Sequence, residues 1–297
     1  MERNNPQWVK SILKKLILLL ISMSVTISLM GGLGNQLFQI FTCIAYALEH
    51  KIDYIFEYSE QITIGRTRPT YWNNLLSKIK DKTSTNLDTS KWNKFTERFF
   101  MHLPIIGNLP LNLSGYYQSY KYFNTQTPNI CAMLDIQGQR RQVLDELSSS
   151  ASGGLSSNLS NTISMHFRYG DFKEYKDYYP LLEIDYYLKA LYNIIQSTGK
   201  TDWNILFFNE SIDNADVAKI VSNLMLIFDK CTFTQVDTEL ADWKSLLLMS
   251  ACKHNIIANS TFSWWGAYLN ENSEKIVCYP KKWFGISVTD KNTNDLL

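Results

Sequence analysis

Val25 to Tyr58 reads VTISLMGGLGNQLFQIFTCIAYALEHKIDYIFEY. From Val25 to Met30, apolar and small polar side chains alternate as they do along a strand, and Gly31, Gly32 and Gly34 then interrupt the extended chain. Beyond them Leu37, Ile40, Phe41, Ile44 and Leu48 recur at helical spacing, and Ile52 to Tyr58 turns strand-like again. Strand, glycine turn, helix and strand in that order make a βαβ unit, which requires a parallel sheet covered by helices. Glycines at such a turn let the backbone approach a ligand closely. The N–H groups that open the helix favour an anionic or polar group there.

Two nucleotide-binding readings of this turn fail on spacing. The dinucleotide fingerprint needs a third glycine where Leu37 stands, although Asp53 lies near the place of a ribose acid. A phosphate loop ending at Gly199-Lys200-Thr201 would need glycine at Ile194.

Outward from this unit, the second half repeats the alternation. Thr162 to Arg168 is strand-like, and Ile184 to Ile195 places Ile184, Tyr187, Leu188, Leu191 and Ile195 on one helical face. A strand follows at Trp203 to Phe208, a helix at about Asn214 to Phe228, and a strand at Cys231 to Val236. Then come a helix at Leu240 to Lys253, a strand at Asn255 to Ala258, a helix from Ser263 and a strand at Lys275 to Tyr279. This is the pattern of a doubly covered parallel sheet. From Glu60 to about Asn108 no element is assigned.

The chain has 297 residues, 45% of them hydrophobic, and a net charge of +1, so bulk electrostatics point neither to nucleic acid nor to an acidic membrane. Five scattered cysteines without a Cys-x-x-Cys pair fit reduced thiols better than a disulfide framework or a zinc site. Residues 1–22 read as an apolar extension, a weak anchor or a signal-like tail, and Leu16 to Met30 is charge-free but short for a spanning helix. The serine- and glycine-rich stretch at 148–160 reads as a loop or linker. It separates an N-terminal domain at 23–147 from a C-terminal domain at 161–297.

Two polar segments lie at predicted strand ends. In His166-Phe167-Arg168-Tyr169-Gly170-Asp171, alternation puts His166 and Arg168 on one face and Met165 and Phe167 in the packing, while Gly170 ends the strand. In doubly wound sheets ligands sit at that carboxyl end, where an arginine fork suits a phosphate. An ordinary salt bridge from Arg168 to Asp171 is the competing reading. In the second segment a strand ends in Asn259-Ser260-Thr261-Phe262-Ser263 and opens a helix, so hydroxyls and backbone N–H groups converge. Plain capping by Ser260 or Ser263 explains one hydroxyl but not the cluster.

Taken together the segments resemble the alpha-1,2-fucosyltransferase family, glycosyltransferase family 11. Gly31 to Gln39 (GGLGNQLFQ) is similar to the family's opening, and Gly115 to Phe123 (GYYQSYKYF) to its central motif. His166 to Asp171 is similar to its H-x-R-R-G-D segment, Asp242 through Trp265 to the block ending N-S-T-F-S-W-W, and Pro280 to Trp283 to its closing P-K-x-W. The family's second arginine is here Tyr169.

The resemblance implies an α/β, GT-B-like fold of two Rossmann-like domains facing a cleft, with the GDP-sugar held by the C-terminal domain and the acceptor by the N-terminal one. It implies an inverting enzyme that moves fucose from GDP-fucose to the 2-hydroxyl of a galactose-type glycan. Arg168, Asp171 and His166 are the expected catalytic residues. Gly34, Asn35, Arg168, Tyr169, Asn209, Asn259, Ser260, Thr261, Ser263 and Lys281 are expected at the donor, and Gln36, Tyr117 and Gln118 on the acceptor side. With no Asp-x-Asp in the sequence, no metal and no further cofactor are expected, and the diphosphate falls to preorganised protein donors. Asp171 serves either as general base or to orient Arg168. Another GDP-deoxysugar as donor, or a nucleotide-sugar-binding relative with little turnover, is the alternative. The partners are a GDP-sugar and a glycan, without nucleic acid. The expected place is the cytoplasm, or a membrane, of Golgi type if the N-terminal extension is a signal anchor.

Overall fold

The computed structural model describes residues 23–63, 65–97, 101–149 and 158–288. The expectations for residues 1–22 and for the middle of the serine-rich stretch lie outside the described residues. The chain divides at Leu134/Asp135 into two compact units.

The first unit carries β1 (Ser24–Ile27), α1 (Leu33–His50), β2 (Asp53–Tyr54), β3 (Asn93–Thr96), β4 (Leu111–Ser114) and α2 (Thr127–Met133). Its four-stranded sheet runs in the order β2-β1-β4-β3 with every pairing parallel. The apolar spacing of α1 covers this sheet: Leu37, Phe38, Ile40, Phe41 and Ile44 are all buried, and Phe38 and Phe41 both pack their rings on Phe123. Strand β1 ends at Ile27, three residues earlier than its alternation suggests, because Ser28 to Gly32 form the loop into the helix.

The second unit opens with α3 (Ile136–Ser148), followed by β5 (Thr162–His166), α4 (Ile184–Thr198), β6 (Asn204–Phe208), α5 (Asn214–Ile227), β7 (Thr232–Gln235), α6 (Asp242–Ala251), β8 (His254–Ile256), α7 (Thr261–Tyr268) and β9 (Val277–Cys278). Sequence spacing left α3 with the N-terminal domain, but its contacts place it here. Arg140 donates through Nε to Ser250 Oγ at 3.0 Å and through Nη2 to the Leu269 carbonyl at 2.7 Å.

The five strands of this unit run β7-β6-β5-β8-β9, all parallel. Counted within the unit, that is the order 3-2-1-4-5 of a Rossmann sheet, with helices needed on both faces. Ile163, Met165, Ile205, Ile256 and Ala258 are buried against α4 and α5 through Tyr187, Leu191, Ile194, Val221 and Leu224. The fold is thus α/β and GT-B-like, with one Rossmann-like sheet in each unit. Among the described residues no helix is long and apolar enough to cross a membrane.

Candidate active site

In a sheet of order 3-2-1-4-5 the connections reverse direction between strands 1 and 4, which opens a crevice beyond their carboxyl ends. Here those strands are β5 and β8, paired through Met165 and Ile256. The two polar segments singled out in the sequence leave the sheet at that point. The His166 ring lies 5.5 Å from the Phe262 ring, so the end of β5 touches the start of α7.

Arg168 holds the centre of this edge. Its Nη2 donates to Asp171 Oδ1 at 2.7 Å, and its Nη1 donates to Glu210 Oε1. The guanidinium also stands over the Phe172 ring, 5.3 Å from the centroid. Glu210 belongs to the loop after β6 and was not found from the sequence. In the same loop the fully buried Asp213 accepts the backbone N–H of Tyr169 at 3.2 Å, accepts that of Gly170 with both carboxylate oxygens at 3.0 and 2.8 Å, and meets Lys173 Nζ at 3.0 Å. Two carboxylates from one loop therefore hold the arginine segment, one by its side chain and one by its backbone. The strand-end rule that picked out Arg168, applied to Asn209-Glu210-Ser211-Ile212-Asp213 after β6, would have found them.

His166 is buried, and its carbonyl accepts from the Tyr187 hydroxyl at 3.3 Å. Burial, and secondarily the Arg168 charge, push its pKa down to about 3, so the ring stays neutral near pH 7. Its Nδ1 and the Oδ1 of buried Asn259 have no hydrogen-bond partner among the described residues. Orphaned polar atoms of this kind are uncommon in proteins, and these two lie at the ends of adjacent strands. The Asn259 amide donates to the Pro180 carbonyl at 3.0 Å and to that of Trp283 at 3.3 Å, tying both flanking segments to the strand end. Ser260 caps α7 by accepting the Phe262 N–H at 3.3 Å, and Thr261 begins that helix, where the positive end of the helix dipole faces the crevice.

Several expected donor residues are placed elsewhere. Tyr169, expected there because it stands in place of the family's second arginine, is one: it packs in the same core cluster as Met165 and Phe167. Its ring joins the core and its hydroxyl donates to the Leu182 carbonyl at 2.7 Å. Tyr169→Phe is expected to cost about 1–2 kcal/mol of stability and to leave donor affinity and turnover unchanged. A drop in donor affinity without loss of stability would return the hydroxyl to the site. Ser263 is buried and braces its own turn, accepting the Ala258 N–H at 3.2 Å. Asn209 turns toward α5 and β7, donating to Asn214 Oδ1 at 2.7 Å and accepting from Gln235 at 3.1 Å. Lys281 is exposed on the segment after β9, two residues before the Trp283 carbonyl that Asn259 reaches, and stays among the donor candidates.

The first unit has its own reversal of strand order, between β1 and β4, and there the glycine turn meets the Gly115 loop. Gln118 Nε2 donates to Asn35 Oδ1 at 2.9 Å, and Gln39 Nε2 donates to the Gly115 carbonyl at 2.8 Å. Gly31 is required twice over, by its φ of +79 and because a Cβ there would fall 2.4 Å from Asn35 Nδ2. Gly34 is buried in the first turn of α1. Two acceptor-side expectations shift to support. Gln36 is buried and donates to the Gly31 and Pro69 carbonyls at 3.0 and 2.9 Å, and Tyr117 is a core residue whose hydroxyl reaches the Phe95 carbonyl at 3.3 Å. Glu97, also missed from the sequence, accepts the N–H groups of Tyr116 and Tyr117, both at 2.8 Å. Burial lifts its pKa to about 6 against the opposing pull of those two bonds.

Residues 3–288 match the profile described as glycosyl transferase family 11. The O-antigen biosynthesis glycosyltransferase WbnK of Escherichia coli is 36% identical over 141 residues, 46% of this chain and 43% of that protein, so the chain matches less than half of that relative's length. An alpha-1,2-colitosyltransferase of Escherichia coli is 26% identical over 288 residues, covering 88% of this chain and 93% of that one. Among solved structures, a mutant of Arabidopsis thaliana FUT1 in complex with GDP superposes with a TM-score of 0.47 at 12% identity, covering 94% of this chain and 76% of that one. With the family profile running through both units, and through every motif at the two strand-order reversals, the chain belongs to glycosyl transferase family 11.

Proposed function

We propose that this glycosyltransferase moves a 6-deoxyhexose from a GDP-linked donor to a sugar hydroxyl with inversion, in the first instance fucose to the 2-hydroxyl of a galactose-type acceptor. The observation that carries this reading is the reversal of strand order between β5 and β8, which brings Arg168 and the Asn259-Ser260-Thr261 turn to one edge of one sheet. Cleavage of the sugar–phosphate bond leaves negative charge on the β-phosphate. A guanidinium fork and the N–H groups opening a helix are fixed donors for it, and they need no reorganisation as the charge develops. The bond from Arg168 to Asp171 supports an orienting role for that carboxylate. Neutral, buried His166 is suited to a hydrogen bond and not to a charge at the donor. In the first unit, Gln118 is the polar group offered to the second substrate, and its bond to Asn35 Oδ1 holds the expected donor-side residue beside it.

A second reading keeps this machinery and changes the donor to a colitosyl one, favoured by the colitosyltransferase relative that spans most of the chain. Incubating the full chain with a panel of GDP-sugars and lactose or free galactose separates the two by the mass of the product. Donor hydrolysis or simple binding, with no glycoside formed from any pair, would overturn both. Because the sequence has no Asp-x-Asp, turnover is expected to be the same within about twofold in excess chelator. A rate restored only by added Mg²⁺ or Mn²⁺ would assign the diphosphate to a metal.

A further inference from the structure

The contact between Arg168 and Glu210 sets a charge problem for any anionic substrate. One guanidinium faces two carboxylates, Asp171 on Nη2 and Glu210 on Nη1, so the cluster is net negative where a diphosphate would have to dock. The two carboxylates are not held alike. Asp171 sits three residues from Arg168 in the same short turn with 27% of its side chain exposed, whereas the Glu210 side chain is 49% exposed and comes from the neighbouring strand's loop. That loop is itself pinned by buried Asp213, so the Glu210 side chain can rotate into solvent without the loop moving. The position of its carboxylate is also telling. Gly170 has φ +31, and a Cβ there would lie 2.7 Å from Glu210 Oε2 and 3.7 Å from Arg168 Nη1. An oxyanion therefore rests directly over a glycine backbone and against a guanidinium, which is the environment a phosphate oxygen seeks.

We propose that Glu210 is a displaceable counter-ion: its carboxylate holds the place of a phosphate oxygen on Arg168 and is exchanged for the diphosphate of the nucleotide sugar. This rests on the reading that Arg168 binds the donor's diphosphate. The exchange makes donor affinity a difference between two anions competing for one fork. Glu210 thus lowers the affinity for all phosphate-bearing ligands and leaves that for the uncharged nucleoside alone.

Calorimetric titration of the full chain with GDP and with guanosine tests this. Glu210→Gln and Glu210→Ala are expected to bind GDP about tenfold more tightly at low salt, a gain that shrinks at high salt, with guanosine affinity unchanged. Unchanged or weakened GDP binding in both variants, or a parallel change for guanosine, would overturn the proposal. Arg168→Ala separates the two levels of the argument. If it leaves GDP affinity untouched, the donor-site reading fails; if it weakens GDP while Glu210→Gln does not tighten it, the counter-ion proposal fails alone.

Discussion

Arg168→Ala is expected to lower the rate of sugar transfer by about 10²–10³-fold, the usual cost of losing one well-placed donor to a developing oxyanion. The loss should fall mainly on kcat, because the charge on the β-phosphate grows as the sugar departs and the fork is worth most at that moment. Arg168→Lys should recover only part of it: an ammonium supplies the charge but not the paired planar donors, and its stem does not match the spacing of Asp171 and Glu210. Stability should change little, since the Arg168 side chain lies at the sheet edge between partly exposed carboxylates. Initial rates at saturating donor, with melting temperature as the control, check the expectation. A folded Arg168→Ala protein retaining a third or more of the wild-type rate would remove Arg168 from the leaving-group site.

What could be read from the sequence was set by burial. Strands β5, β6 and β8 lie inside a parallel sheet, so TISMH, NILFF and HNI are almost wholly buried and their flanking turns stand out. Strand β3, Asn93–Thr96, is an edge strand with mostly exposed side chains, and NKFT carries no apolar pattern to betray it. Strand β4 is four residues, LNLS, between Pro110 and Gly115, too short for alternation to register. The boundary between units was misplaced for a related reason. The serine-rich stretch looks like a linker by composition, but the chain changes partners earlier, at Asp135, which caps α3 by accepting the Gly138 N–H at 3.2 Å.

The site divides along the same line. Arg168, Asp171, Asn259 and Ser260 were legible because each follows a recognisable strand, and the structure gathers them at one edge. Asn35 and Gln118, 83 residues apart, were legible through their motifs and do meet. Glu210 and Asp213 also follow a recognisable strand, which makes them candidates, but which backbone or side chain each carboxylate reaches across the sheet is set by the fold and not by the local sequence. Tyr169 came from the resemblance alone, as the residue in place of the family's second arginine, and it sits instead in the core on the side of Met165 and Phe167.

Asp213→Ala is expected to destabilise the second unit by about 3 kcal/mol, the largest stability effect among the site's polar residues. The carboxylate is completely buried, and its removal takes from the N–H groups of Tyr169 and Gly170 the acceptor that both share. Lys173 is not the source of the cost. In Asp213→Ala it keeps Asp216 at 2.8 Å, whereas Lys173→Met leaves the buried Asp213 carboxylate without its cation and is expected to lose stability as well, though less than Asp213→Ala because the backbone N–H bonds remain. Asp213→Asn should fall between, since one amide oxygen can still accept one of the two N–H groups. Urea denaturation of the full chain, read by the midpoint of the second unit's transition at unchanged slope, measures the series. Asp213→Ala melting with the wild type would show that the backbone of the arginine turn finds other partners. The same loop thus carries two acids with opposed duties, set by exposure alone. Glu210 is half in water and free to exchange, and Asp213 is sealed and cannot. If both expectations hold, turnover in Asp213→Ala should drop even below the unfolding transition, because a turn that no longer fixes Gly170 no longer fixes the guanidinium two residues before it.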